Sequence, residues 1–150
     1  MDFKTSQKLY SAARMGKYAR ACGGDKGKTM QLYRYNLRLC QRFYGALNLF
    51  EVMLRNAINE HYATHFADPD WIVNQADIYR DLTHIREFRN RIAHHEPVCF
   101  NGVGGISTVF ARQHYQLICE YIGYMGHQPD NVLSWSEKPD EILNKIDGIK

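Results

Sequence analysis

The feature that most constrains this chain is a run of apolar residues at helical spacing from about Lys28 to His65. Tyr33, Leu37, Cys40, Tyr44, Leu47, Leu54 and Ile58 mark one stripe, and Leu39, Phe43, Phe50, Met53 and Ala57 mark a second beside it. A helix apolar over so much of its circumference belongs at the centre of a fold, with other elements packed round it. Asp25, after Gly23 and Gly24, is its start signal, and Pro69 in the Asp68-Pro69-Asp70 turn its stop. An earlier helix, about 6 to 22, ends in that glycine turn.

The rest of the chain reads the same way. A second long segment, about Trp71 to His95, carries Ile78, Leu82, Ile85, Phe88 and Ile92 on one face and ends before Pro97. The glycines of Asn101-Gly102-Val103-Gly104-Gly105 make a loop. A helix follows over about 107 to 125, with Val109, Tyr115, Ile118, Ile122 and Met125 as its buried set. Short helices are expected near 131 to 135 and 139 to 147, the latter with Pro139 in its first turn. The expectation is one all-α domain spanning residues 1 to 150, since 150 residues with 45% hydrophobic content suit a single core.

Charge divides unevenly. Residues 1 to 55 hold eleven Lys/Arg against Asp2, Asp25 and Glu51, a balance of +8, and the remainder holds eight against thirteen, a balance of −5. The basic half also carries Tyr10, Tyr18, Tyr33, Tyr35 and Tyr44, a set suited to following a phosphate backbone and stacking bases, or to core packing beneath a solvated basic face. No apolar run approaches the length needed to span a bilayer, and the first residues hold no apolar signal region, so a cytoplasmic, unexported protein is expected. Cys22, Cys40, Cys99 and Cys119 are scattered, with neither disulfide nor zinc-ribbon spacing.

Chemistry concentrates in Arg89-Asn90-Arg91-Ile92-Ala93-His94-His95-Glu96-Pro97. Asn90 and His94 are four apart and share a helix face, with Arg89 about 100° from Asn90. A guanidinium, an amide and an imidazole are what cleavage of a phosphodiester by its neighbouring 2′-hydroxyl requires, without metal or cofactor. The bland reading is a His and Arg that complement a helix C-terminus. Glu51 falls on the apolar stripe with Arg55 one turn on as its local partner, which suggests a buried pair. His61 and His65 are one turn apart but have no third ligand, and His94, His95 and Cys99 lack a fourth.

The string FRNRIAHHEP, with YGALNLFEVMLRNAI upstream and the DPDW turn between, resembles the Abi-like (abortive infection) proteins of the HEPN superfamily over most of residues 16 to 100. The family signature of Arg, a polar residue, a short spacer and His is matched by Arg89, Asn90 and His94. The resemblance implies a HEPN-like helical bundle that forms a homodimer with two motifs on one cleft. It implies a metal-independent endoribonuclease of a bacterial defence or toxin system, held in check by an antitoxin or another defence partner. His94 would be the general acid/base, Arg89 the phosphate clamp and Asn90 the orienting amide, with Glu51, Arg55, Asn56, His95 and Glu96 in support. Position 96 is Glu where some such toxins carry a Tyr that accepts AMP. The segment between Trp71 and Arg89 is shorter than is usual in the family, and this motivates the alternative, a non-catalytic HEPN module that binds RNA or a protein partner.

Overall fold

The computed structural model of the chain describes residues 2–64 and 76–149, without the side chains of 61–64, 76 and 77. Every regular element among the described residues is a helix, and a single antiparallel bridge joins Phe100 to Ile106. His65 and the Asp68–Trp71 turn lie outside the described residues, as does the side chain of His61.

The amino-terminal stretch, expected as one helix, is two: α1 (Phe3–Tyr10) and α2 (Ala12–Ala21). Ser11 separates them with a φ of 73°, and its hydroxyl accepts the Arg14 N–H at 3.2 Å to cap α2. A serine oxygen offers the backbone an alternative to a further helical turn, and apolar periodicity does not register that competition. Asp2 caps α1 by accepting the Thr5 N–H at 2.7 Å, a bond that holds its carboxyl below the usual carboxylate range. Gly23 and Gly24, both at positive φ, turn the chain out of α2. Asp25 then caps α3 (Lys26–Thr64) through the Lys28 N–H at 2.9 Å.

At 39 residues, α3 is roughly 60 Å long. Leu32, Tyr33, Asn36, Leu39, Cys40, Phe43, Ala46, Leu47 and Phe50 form its buried stripe. Both expected stripes contribute to it, but Tyr44 departs from its stripe: it is 53% exposed, and its neighbour Phe43 enters the core. The cause is the partner helix, α4 (Ala76–Ala93), whose Phe88 meets Phe43 edge-on with ring centroids 4.8 Å apart.

Ile85, Phe88 and Ile92 of α4 are buried, as its periodicity predicts. In α5 (Val109–Tyr124) the buried residues are Ala111, Ile118, Tyr121 and Ile122. Val109, expected among them, is 59% exposed because it lies about 200° round the helix from Ala111. A short α6 (Pro129–Val132), a 3-10 turn (Leu133–Trp135) and α7 (Asp140–Asp147) complete the described chain. The 3-10 turn closes onto α3 at Gly45, where a Cβ would stand 3.3 Å from that of Ser136. Around α3 are packed α2, α4, α5 and α7.

Directional polar contacts fix how the helices register. Asn36, wholly buried, accepts the Val98 N–H on Oδ1 at 3.0 Å and so ties α3 to the segment after α4. Thr108 donates its hydroxyl to the Asp147 carboxylate, and Arg112 donates to Asp147 at 3.1 Å and Asn144 at 2.8 Å, which pins the start of α5 to α7. The Tyr18 hydroxyl is buried with no hydrogen-bond partner among the described residues, and this burial raises its pKa.

Two substitutions distinguish these cases. Asn36→Ala strands the Val98 N–H and is expected to lose about 1–3 kcal/mol in urea unfolding, whereas a change within experimental error would show that the bond does not set the register. Tyr18→Phe removes a hydroxyl without a partner and is expected to be neutral or to gain up to about 1 kcal/mol, so a clear loss in the same assay would mean the hydroxyl is satisfied.

Candidate functional site

The last turns of α4 run beside the middle of α3, and between them lies a shallow groove of about 180 Å³. Its floor is apolar, with Phe50, Leu54, Leu82 and Ile85, and its rim carries Glu51, Arg86, Arg89 and Asn90. Arg89 Nε donates to Glu51 Oε1 at 3.1 Å. The carboxylate therefore pairs across the two helices and not with Arg55, its expected neighbour one turn on. Nor is the pair buried: the Arg89 and Glu51 side chains are 46% and 42% exposed, so their contact contributes under about 1 kcal/mol. Arg55 and Asn56 are exposed on α3 and do not line the groove.

His94 is the first residue beyond α4, and its N–H donates to the Asn90 carbonyl at 3.0 Å. Its exposed side chain follows Asn90 by four residues, one turn further along the same face, and is not part of the groove lining. The two adjacent histidines have different positions. The His95 N–H donates to the Ile92 carbonyl at 3.0 Å and the Glu96 N–H to the Arg91 carbonyl at 2.9 Å, a nested pair of bonds that closes the helix. His95 sits at the left-handed position of this cap, with φ 52°, and faces Gln41 and Tyr44. Glu96 lies 3.5 Å from Arg91 Nε, apart from the Arg89 groove.

Arg91, which spacing does not single out, lies on another side of α4. Its Nη2 donates to the Pro97 carbonyl at 2.6 Å and its guanidinium rests 4.7 Å from the Phe110 ring centroid. The sequence signal for it was Glu96 and Pro97 just beyond a helix end.

The basic half has surface cations but not a tyrosine platform. Lys4, Lys8, Arg14, Lys17, Arg20, Lys26, Lys28, Arg34 and Arg38 are exposed, and none is in an ion pair among the described residues. By contrast, Arg42 and Arg112 are engaged by Glu137, Glu141, Asp140 and Asp147. Tyr18 and Tyr33 are buried edge-on at 5.2 Å and Tyr35 is half-buried, so the expected stacking set reduces to Tyr44 and the margin of Tyr10. Cys99 is fully buried while His94 and His95 are exposed. Burial pushes the Cys40 thiol up to about 11 and raises that of Cys99, so neither is a ready nucleophile.

Because a non-glycine residue in the left-handed region costs roughly 1–2 kcal/mol, His95→Gly is expected to raise stability by about 1 kcal/mol in chemical unfolding. A loss would mean that the imidazole contacts near Tyr44 outweigh the backbone strain. No family model, curated protein or solved structure matches the chain.

Proposed function

We propose that the chain is a metal-independent endoribonuclease of the HEPN type that acts as a homodimer in a bacterial defence or toxin system. The observation that carries this reading is the end of α4, where Arg89 and Asn90 stand on an open groove and His94 follows on the Asn90 face, exposed to an incoming strand. The resemblance to Abi-like proteins supplies the roles. A ring nitrogen of His94 takes the proton of a ribose 2′-hydroxyl, the 2′ oxygen bonds to the adjacent phosphorus, and the bond from phosphorus to the 5′ oxygen breaks. The leaving oxygen takes its proton from the imidazolium of His94 in the second copy. The products are a 2′,3′-cyclic phosphate and a 5′-hydroxyl, with no change of oxidation state.

Arg89 would hold the non-bridging phosphate oxygens as charge builds on them, and Asn90 would orient the same group. Glu51 is a positioning residue here: it keeps the guanidinium over the groove through a contact weak enough for a phosphate to replace. Arg55 and Asn56, exposed further along α3, extend the surface along which a strand would lie. His95 and Glu96 support the site through the backbone cap. A second reading, a non-catalytic helical module that binds RNA, is favoured by the nine exposed cations that are in no ion pair among the described residues.

The readings separate in one assay, cleavage of varied RNAs by purified protein in excess EDTA. Ribonuclease activity predicts products with 2′,3′-cyclic ends and a loss of about 10²-fold or more in His94→Ala, with folding and RNA affinity retained. Equal cleavage by both proteins would remove His94 from the mechanism. No cleavage by either, with RNA affinity that falls steeply as salt rises, would establish the binding module instead.

A further inference from the structure

A second and larger cleft, about 900 Å³, opens where Arg91 lies, about 200° round α4 from Arg89. Lys17 and Arg20 of α2, Arg91, Phe100 and Phe110 line it, and the turn over residues 101–105 closes it. The lining contains three cations and no carboxylate. Lys17 and Arg20 are exposed and in no ion pair among the described residues. Arg91 is fixed by the Pro97 carbonyl and the Phe110 ring, yet its Nε–H is buried with no hydrogen bond, the Glu96 carboxylate standing 3.5 Å away. Glu96 pairs with Arg91 and the C-terminal dipole of α2 offsets about half a charge more, so the cleft stays net positive through Lys17 and Arg20.

Most of the turn's N–H groups are engaged within it. The Val103 and Gly105 N–H groups donate to Asn101 Oδ1 at 3.2 and 2.7 Å, and so are unavailable to a phosphate. Its three glycines leave only Asn101 and Val103 to present side chains from that wall. Cations would therefore hold an anion, and the half-buried Phe100 and Phe110 add aromatic surface beside it. The volume lies within the roughly 300–1,000 Å³ of small-molecule sites. Positive charge, aromatic walls and this size together fit a phosphate joined to a planar heterocycle.

We propose that this cleft binds a nucleotide unit, with its phosphate among Lys17, Arg20 and Arg91 and its base against Phe100 and Phe110. The unit is a free mononucleotide or the 5′-phosphorylated end of an RNA strand, which present the same chemistry. The site shares no residue with the Glu51–Arg89 groove and does not depend on the ribonuclease reading.

The test is calorimetric titration of the full chain with AMP, CMP, GMP and UMP, with inorganic phosphate, and with 2′-O-methyl trinucleotides bearing a 5′-phosphate or a 5′-hydroxyl. At least one mononucleotide is expected to bind saturably, one per chain, about tenfold or more tightly than inorganic phosphate. Affinity is expected to fall about tenfold in Lys17→Ala/Arg20→Ala, whose altered side chains are exposed and leave the fold intact by circular dichroism, and to be unchanged in His94→Ala. Tighter binding of the 5′-phosphorylated trinucleotide than of any mononucleotide identifies the strand end as the source, and the reverse order the free nucleotide. Absence of saturable mononucleotide binding, equal affinity for inorganic phosphate, or unchanged affinity in the double variant overturns the proposal.

Discussion

The edge-on contact between Phe43 and Phe88 is the joint on which the other helices depend. It sets the rotation of α3, so that residues of both apolar stripes face inward while Tyr44 faces out. Phe88 continues the contact into α5, with Phe110 at 5.7 Å and the His114 ring stacked at 4.5 Å. Burial between these rings lowers the His114 pKa, and its Nδ1 lies 2.8 Å from the Phe110 carbonyl. A second aromatic run, Tyr10–Tyr33–Tyr18–Phe100, secures α1 and α2 at the other end. Between the two runs α3 acts as a rigid spine, and the groove and the cleft sit along its neighbours α4 and α2.

What could be read from the sequence was what is local. The Asp25 cap, the Gly23-Gly24 turn and the stop before Pro97 each depend on a few adjacent residues, and each is present. The break at Ser11 was hidden because a serine within an apolar pattern is compatible with either a helix or a cap, and only the Arg14 N–H decides. The choice of Phe43 over Tyr44 was hidden for a different reason, because it belongs to the pair of helices and not to either alone.

The site shows the same boundary. That Asn90 and His94 share a face follows from four-residue spacing and needed no structure. That Glu51 meets Arg89 and not Arg55 depends on the register of α3 against α4, set in part by the Asn36–Val98 bond. The segregation of charge was visible in composition, but its meaning was not. Asp2 and Asp25, two of the three acidic residues in the first 55, are used as helix caps and are in no ion pair with the cations around them among the described residues. The tyrosines among those cations turned inward because an amphipathic ring gains more from burial against other aromatics than from standing alone in water.

The helix end at Ala93 has a bearing on how such a chain can change over time. Its closing bonds run between main-chain atoms of Arg91, Ile92, His95 and Glu96, so the side chain at position 94 takes no part in holding the turn shut. The stability of the cap is thereby independent of which side chain stands at that position. A lineage could lose the imidazole and keep the bundle, or regain it in a single step, and folding alone would exert little selection on which residue stands there.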